Sequence, residues 1–79
     1  MRIKIVDKKL GRERAHGQAW QGLNIVEIDP RQPEREKIDT LIHEILHLAK
    51  PEYDEEEIVR ISNIISSNLW KYGYRRIAR

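Results

Sequence analysis

The stretch that most narrows what this chain can fold into is residues 38–49, where Ile38, Leu41, Ile42, Ile45, Leu48 and Ala49 recur at helical spacing and His43-Glu44-Ile45-Leu46-His47 lies inside the run. The apolar positions form one buried stripe, and His43 and His47 fall along its edge. Side chains four apart on a helix stand one above the other, roughly 6 Å between their β-carbons, so both imidazoles can hold a single zinc ion. Glu44, beside the first histidine, can then serve as general base toward a water that the metal activates. This is the residue pattern of a zinc peptidase, and it makes zinc the expected cofactor and a peptide or protein the expected substrate.

The flanks support a helix. Pro33 suits a first helical turn, Glu34 and Glu36 place acid near the positive helix end, and Pro51 stops the helix at about Lys50. Asp54 then reads as an N-cap with Glu57 three residues on, opening a second helix that runs to about Tyr72 and ends at Gly73. Its apolar stripe is expected to be Ile58, Ile61, Ile65 and Leu69. Helices joined by so short a turn lie antiparallel, which brings His47 opposite the acids Asp54, Glu55, Glu56 and Glu57. A catalytic zinc usually takes three protein ligands. Glu55 continues the inward stripe and is the first choice for the third, with Glu56 second and Asp54 third. Asp39, one turn before His43, is a candidate to hydrogen-bond the outer nitrogen of that histidine.

Before the helices the signal is weaker. Residues 2–7 read as a strand with Ile3 and Ile5 on one face and Arg2 and Lys4 on the other, and residues 23–29 as a second strand ended by Asp29-Pro30. Residues 8–22 hold three of the four glycines, lack sustained periodicity and read as a long loop. Trp20 in that loop, like Trp70, reads as a packing residue. The expected fold is α+β, a two-stranded antiparallel β-ribbon followed by an antiparallel helical hairpin, β-β-α-α, a minimal zincin-like arrangement over residues 1–79.

Composition closes other routes. With no cysteine there is neither a disulfide nor a thiolate zinc site, so any zinc must be held by His, Asp or Glu. At 79 residues the core is near the lower limit for independent stability, and a metal joining two elements would help. The amino-terminal residues alternate charge with aliphatic, unlike a signal peptide, and no stretch is long enough to span a membrane, so a cytoplasmic protein without membrane contact is expected. A net charge of +2 is too small to argue nucleic-acid binding from the total.

Residues Thr40-Leu41-Ile42-His43-Glu44-Ile45-Leu46-His47, the acidic start of the second helix, and Leu69-Trp70-Lys71-Tyr72-Gly73-Tyr74-Arg75 together resemble the small HExxH metallopeptidases of phages and prophages. The resemblance runs from Ile25 onward and includes Ile28-Asp29. It implies a gluzincin-like site in which a glutamate on the second helix, Glu55 or Glu56 here, completes the zinc ligands. The gap after His47 is far shorter than in large gluzincins, so the likeness to those is one of arrangement only.

A peptidase also needs a donor for the developing oxyanion. His16, Tyr72, Tyr74 and Arg75 are the candidates for that role or for substrate contact. A free strand edge beside the histidine helix would offer an extended peptide a place to pair. The alternative from another class is a non-catalytic, zinc-stapled binding module whose basic loop (Lys8, Lys9, Arg12, Arg14) and tail (residues 75–79) contact nucleic acid or an acidic protein. Glu44 separates the two, because a structural zinc site has no use for a carboxylate there. A metal-free interaction domain is the third reading.

Overall fold

A computed structural model describes residues 1–11 and 16–77. Arg12 and Arg14 of the expected basic loop, and Ala78 and Arg79 of the tail, lie outside the described residues. The elements run β1 (Lys4–Asp7), β2 (Gly17–Trp20), a single 3-10 turn (Gln21–Leu23), β3 (Ile25–Ile28), α1 (Glu34–Ala49) and α2 (Glu55–Tyr72). The class is α+β, with strands before helices.

The sheet differs from the expected ribbon. It has three strands in the order β1-β3-β2, with β1 parallel to β3 and β2 antiparallel to it. The additional strand lies within the residues expected to be loop. Its four residues, Gly-Gln-Ala-Trp, carry no aliphatic alternation, so only pairing with β3 defines it. The extra strand also explains the reversed pairing. β2 and β3 form a hairpin through the 3-10 turn and Asn24, whose φ of 52° is a left-handed conformation asparagine tolerates. With β2 on one side of β3, β1 takes the other, and a strand separated from β3 by two reversals runs in the same direction.

One sheet face meets α1. In register, Ile5, Val26 and Ala19 share a row, and Val26, Ile28 and Leu48 form the buried centre, with Ile3, Ala19, Leu41 and Ile45 packed around them. The opposite face is mixed, with Val6 and Ile25 beside a polar cluster in which Glu27 receives the Trp20 indole N–H at 2.8 Å and pairs with Lys8 at 3.3 Å. Trp20 is therefore a half-exposed clasp between strands rather than a core residue.

Both helix ends follow the local chemistry. Asp54 Oδ1 accepts from the Glu57 amide at 2.8 Å. Gly73 closes α2 at φ 102°, and its N–H and that of Tyr74 reach back to Trp70 and Leu69 carbonyls. The buried side of α2 is not quite the expected one. Ile58, Ser62 and Ser66 are buried against α1, Ile61 and Leu69 are half-buried, and Ile65 is 39% exposed. Two serines on the facing side let the helices approach closely and satisfy their hydroxyls locally, Ser62 on the Val59 carbonyl and Ser66 on Asp39. This rotates part of the aliphatic stripe outward.

Candidate metal centre

The hairpin turn places the start of α2 against the last turns of α1, and the expected first-choice acid is the one that reaches the histidines. Glu55 Oε1 lies 2.9 Å from His43 Nε2 and Glu55 Oε2 lies 3.1 Å from His47 Nε2, while the two imidazole nitrogens are 3.3 Å apart. Among the described residues these three side chains form the group whose ligand atoms could hold a metal ion, all within 4.8 Å of one another. Ligands about 2.0–2.2 Å from a tetrahedral zinc are separated from each other by roughly 3.3 Å, so the donor set and its spacing fit that ion. Glu56 and Asp54 do not enter the group, and Asp54 is occupied as the helix cap.

Glu44 is 9% exposed, the buried acid of α1. Burial raises its pKa above the ordinary carboxylate value, with the charge of His47 opposing the rise and that of Glu55 adding to it. A cation bound at the histidines would draw it back down. Glu44 and His47 together line a cleft of about 440 Å³ whose other wall is β2, from Gly17 to Trp20, with Gln21 at its end. Gln21 also donates from Nε2 to the His47 carbonyl at 3.1 Å, tying the strand end to the last turn of α1.

Among the described residues β2 is an edge of the sheet. The Asp29 amide donates to the His16 carbonyl and the register continues as Gln18 with Glu27 and Trp20 with Ile25. By the alternation of an antiparallel ladder, the backbone groups of Gly17 and Ala19 therefore point off the open edge, along the cleft that holds Glu44. Gly17 is what brings the strand so near: a β-carbon there would lie 2.6 Å from Thr40 Cγ2 and 3.1 Å from Glu44 Cγ.

The remaining sequence candidates fall in different places. Asp39 does not orient His43; its Oδ1 accepts from the Ser66 hydroxyl of α2 at 2.8 Å, because the helix crossing turns it toward the partner helix. His16 is exposed and lines, with Asp39 and Thr40, a polar cleft of about 610 Å³ flanking α1 on the upstream side of His43. Tyr72, Tyr74 and Arg75 lie at the far end of α2 from Glu55, about 27 Å along an 18-residue helix. The Arg75 guanidinium stacks 3.3 Å from the Trp70 ring centroid and donates to the Trp70 carbonyl. These residues cap the helix and do not reach the histidines.

Sequence reasoning missed Gln32. It is buried, accepts the Thr40 hydroxyl at 2.9 Å and donates from Nε2 to the backbone carbonyls of His16 at 3.1 Å and Asp29 at 3.0 Å. One amide thus fixes the start of β2 against α1. Its position between two prolines carries no signal of this; the glycine density of residues 8–22 was the available hint of close backbone approach. Comparison with protein-family models, curated proteins and solved structures finds no match to the chain.

Proposed function

We propose that this chain is a zinc-dependent peptidase of the HExxH type, with His43, His47 and Glu55 as ligands and Glu44 as general base. The observation that carries the reading is the convergence of the three ligand atoms from two helices, with the buried carboxylate of Glu44 sharing a cleft with one of the three residues, His47. A zinc ion held there would polarise a water and the scissile carbonyl. Glu44 accepts the proton of the attacking water and returns it to the leaving amine, a role suited to a carboxyl whose pKa burial has raised. The outward backbone groups of Gly17 and Ala19 pair with an extended substrate by strand addition, which aligns the peptide along Glu44 and His47. His16 is the one sequence candidate for an added substrate contact that borders this region.

The second reading, a zinc-stapled module without hydrolysis, draws on the same ligands joining the two helices. Its cationic surface is partly engaged, since Arg76 pairs with Asp7 and Arg75 with Trp70.

The test is zinc content per chain for the wild type, His43→Ala, Glu55→Ala and Glu44→Gln, followed by hydrolysis of a mixture of unstructured peptides. The expected result is one zinc, lost in the first two variants and kept in Glu44→Gln, with peptide cleavage reduced about 10²–10⁴-fold in the last. Absence of zinc after reconstitution would overturn the metal site. Zinc binding without cleavage by the wild type would favour the stapled module.

A further inference from the structure

All the residues that line the 610 Å³ cleft upstream of His43 are polar. Asp39 and Thr40 of α1 meet there with Asn63, Ser66 and Ser67 of α2 and with His16, just before β2. This cleft adjoins the one that holds Glu44 at Gly17, where a β-carbon would touch both Thr40 and Glu44. β2 runs alongside α1 in the same direction, with Gly17 beside Thr40 and Gln21 bonded to the His47 carbonyl. A peptide that pairs antiparallel with its edge, the more stable arrangement, therefore enters beside His47 and leaves toward Thr40. Asp39 lies one helical turn before His43, about 6 Å, which an extended chain covers in roughly two residues. The polar cleft thus receives a side chain from just beyond the bond to be cut.

The charges of the cleft say which side chain. Arg35 and Glu36 complete its lining, and both are exposed and of opposite sign. Asp39 is half-buried, and among the described residues its carboxylate has one partner, the Ser66 hydroxyl, and no cation. With His16 in its uncharged form, Asp39 is the unbalanced charge of the cleft. A zinc ion at His43 and His47 does not cancel it, because the carboxylates of Glu55 and Glu44 offset the two charges of the metal. A half-buried carboxylate with a single neutral hydrogen bond favours a charged donor, whose bonds to it are shorter and stronger. The hydroxyls of Ser66 and Ser67 and the amide of Asn63 offer that donor further oxygens.

Resting on the peptidase reading, we propose that this cleft selects the substrate: it takes a lysine or arginine side chain within two residues on the carboxyl side of the scissile bond. Asp39 pairs with the cationic head group and is the specificity-determining residue.

The test uses unstructured peptides of one sequence that carry Lys, Arg, Gln or Leu at a single position. Their affinities for zinc-loaded protein are measured by calorimetry with Asp39 intact and with Asp39→Asn, both proteins also carrying Glu44→Gln so that no peptide is consumed. Asparagine keeps an oxygen for the Ser66 hydroxyl while removing the charge, and circular dichroism checks the fold. The cut sites made by the zinc-loaded wild type are then mapped by mass spectrometry. The Lys and Arg peptides are expected to bind about tenfold more tightly than the Gln peptide, and Asp39→Asn to abolish that difference. Cuts are expected where Lys or Arg stands within the two residues that follow. No binding, equal affinity for all four peptides, or a preference that survives Asp39→Asn overturns the subsite, and cleavage without regard to Lys or Arg overturns it while leaving the peptidase reading in place. A lysine preference that depends on Asp39, with no cleavage by the wild type, upholds the cleft as a site for basic peptides and overturns the peptidase reading alone.

Discussion

Gly17 and Thr40 stand so close that any β-carbon on the strand residue would meet the threonine methyl at 2.6 Å. Strand β2 can lie along Glu44 only because residue 17 has no side chain. Gly17→Ala is expected to destabilise by about 1–3 kcal/mol through this overlap. Thr40→Ser removes the methyl while keeping the hydroxyl that Gln32 accepts. Introduced into Gly17→Ala it should recover about 1 kcal/mol, a coupling measurable by a urea double-mutant cycle. Strict additivity would mean that the strand is not held against Thr40.

Metal binding across two helices should appear as stability. Zinc at a hundredfold excess over its dissociation constant adds about 2.7 kcal/mol to the folded state. For a chain of this size that is a rise in Tm on the order of 10 °C. Calorimetry with and without a chelator checks it, and Glu55→Ala should show much less of the rise because the link to α2 is gone.

Asp39 offers a separation of roles. Its carboxylate holds Ser66 rather than His43, so Asp39→Ala is expected to cost about 1 kcal/mol of stability through the lost interhelix bond while leaving zinc stoichiometry unchanged. Loss of zinc in this variant would place the residue at the metal after all.

Asp29 should govern the acid limb of stability. Its side chain accepts from Arg31 and from the Leu10 amide, and the Arg31 guanidinium holds its pKa well below the ordinary carboxylate value. The folded-state pKa is depressed, so the stabilisation is complete above the unfolded value and is lost as pH falls below it toward the folded one. Asp29→Asn should therefore unfold at lower urea than the wild type near neutral pH. The gap between the two should narrow as the solution is taken from about pH 5 to about pH 2.

The clustering of His43, His47 and Glu55 was legible in the sequence because its parts are local. His43 and His47 owe their common face to helix period, Pro51 and Asp54 set where one helix stops and the next begins, and Glu55 follows from the inward stripe of α2. The same local logic failed for Asp39, where spacing along α1 suggested His43 but the crossing of α2 supplied Ser66. It failed again for Tyr74 and Arg75, whose motif residues close the helix by the Gly73 cap and by stacking on Trp70.

The sequence by itself determined the two helices, their ends and the approach of Glu55 to His43 and His47 across the turn, since capping, proline placement and a 3.6-residue period act within a few residues of each other. Only the tertiary structure decided that Gly17–Trp20 is a strand, that β1 runs parallel to β3, and that Ser62 and Ser66 rather than Ile65 face α1. Strand pairing and helix rotation depend on partners 7 to 27 residues distant, as in Trp20 with Glu27 and Ser66 with Asp39. For such pairs the energy lies in the contact itself, and a short polar segment carries no periodic trace of the partner it will meet.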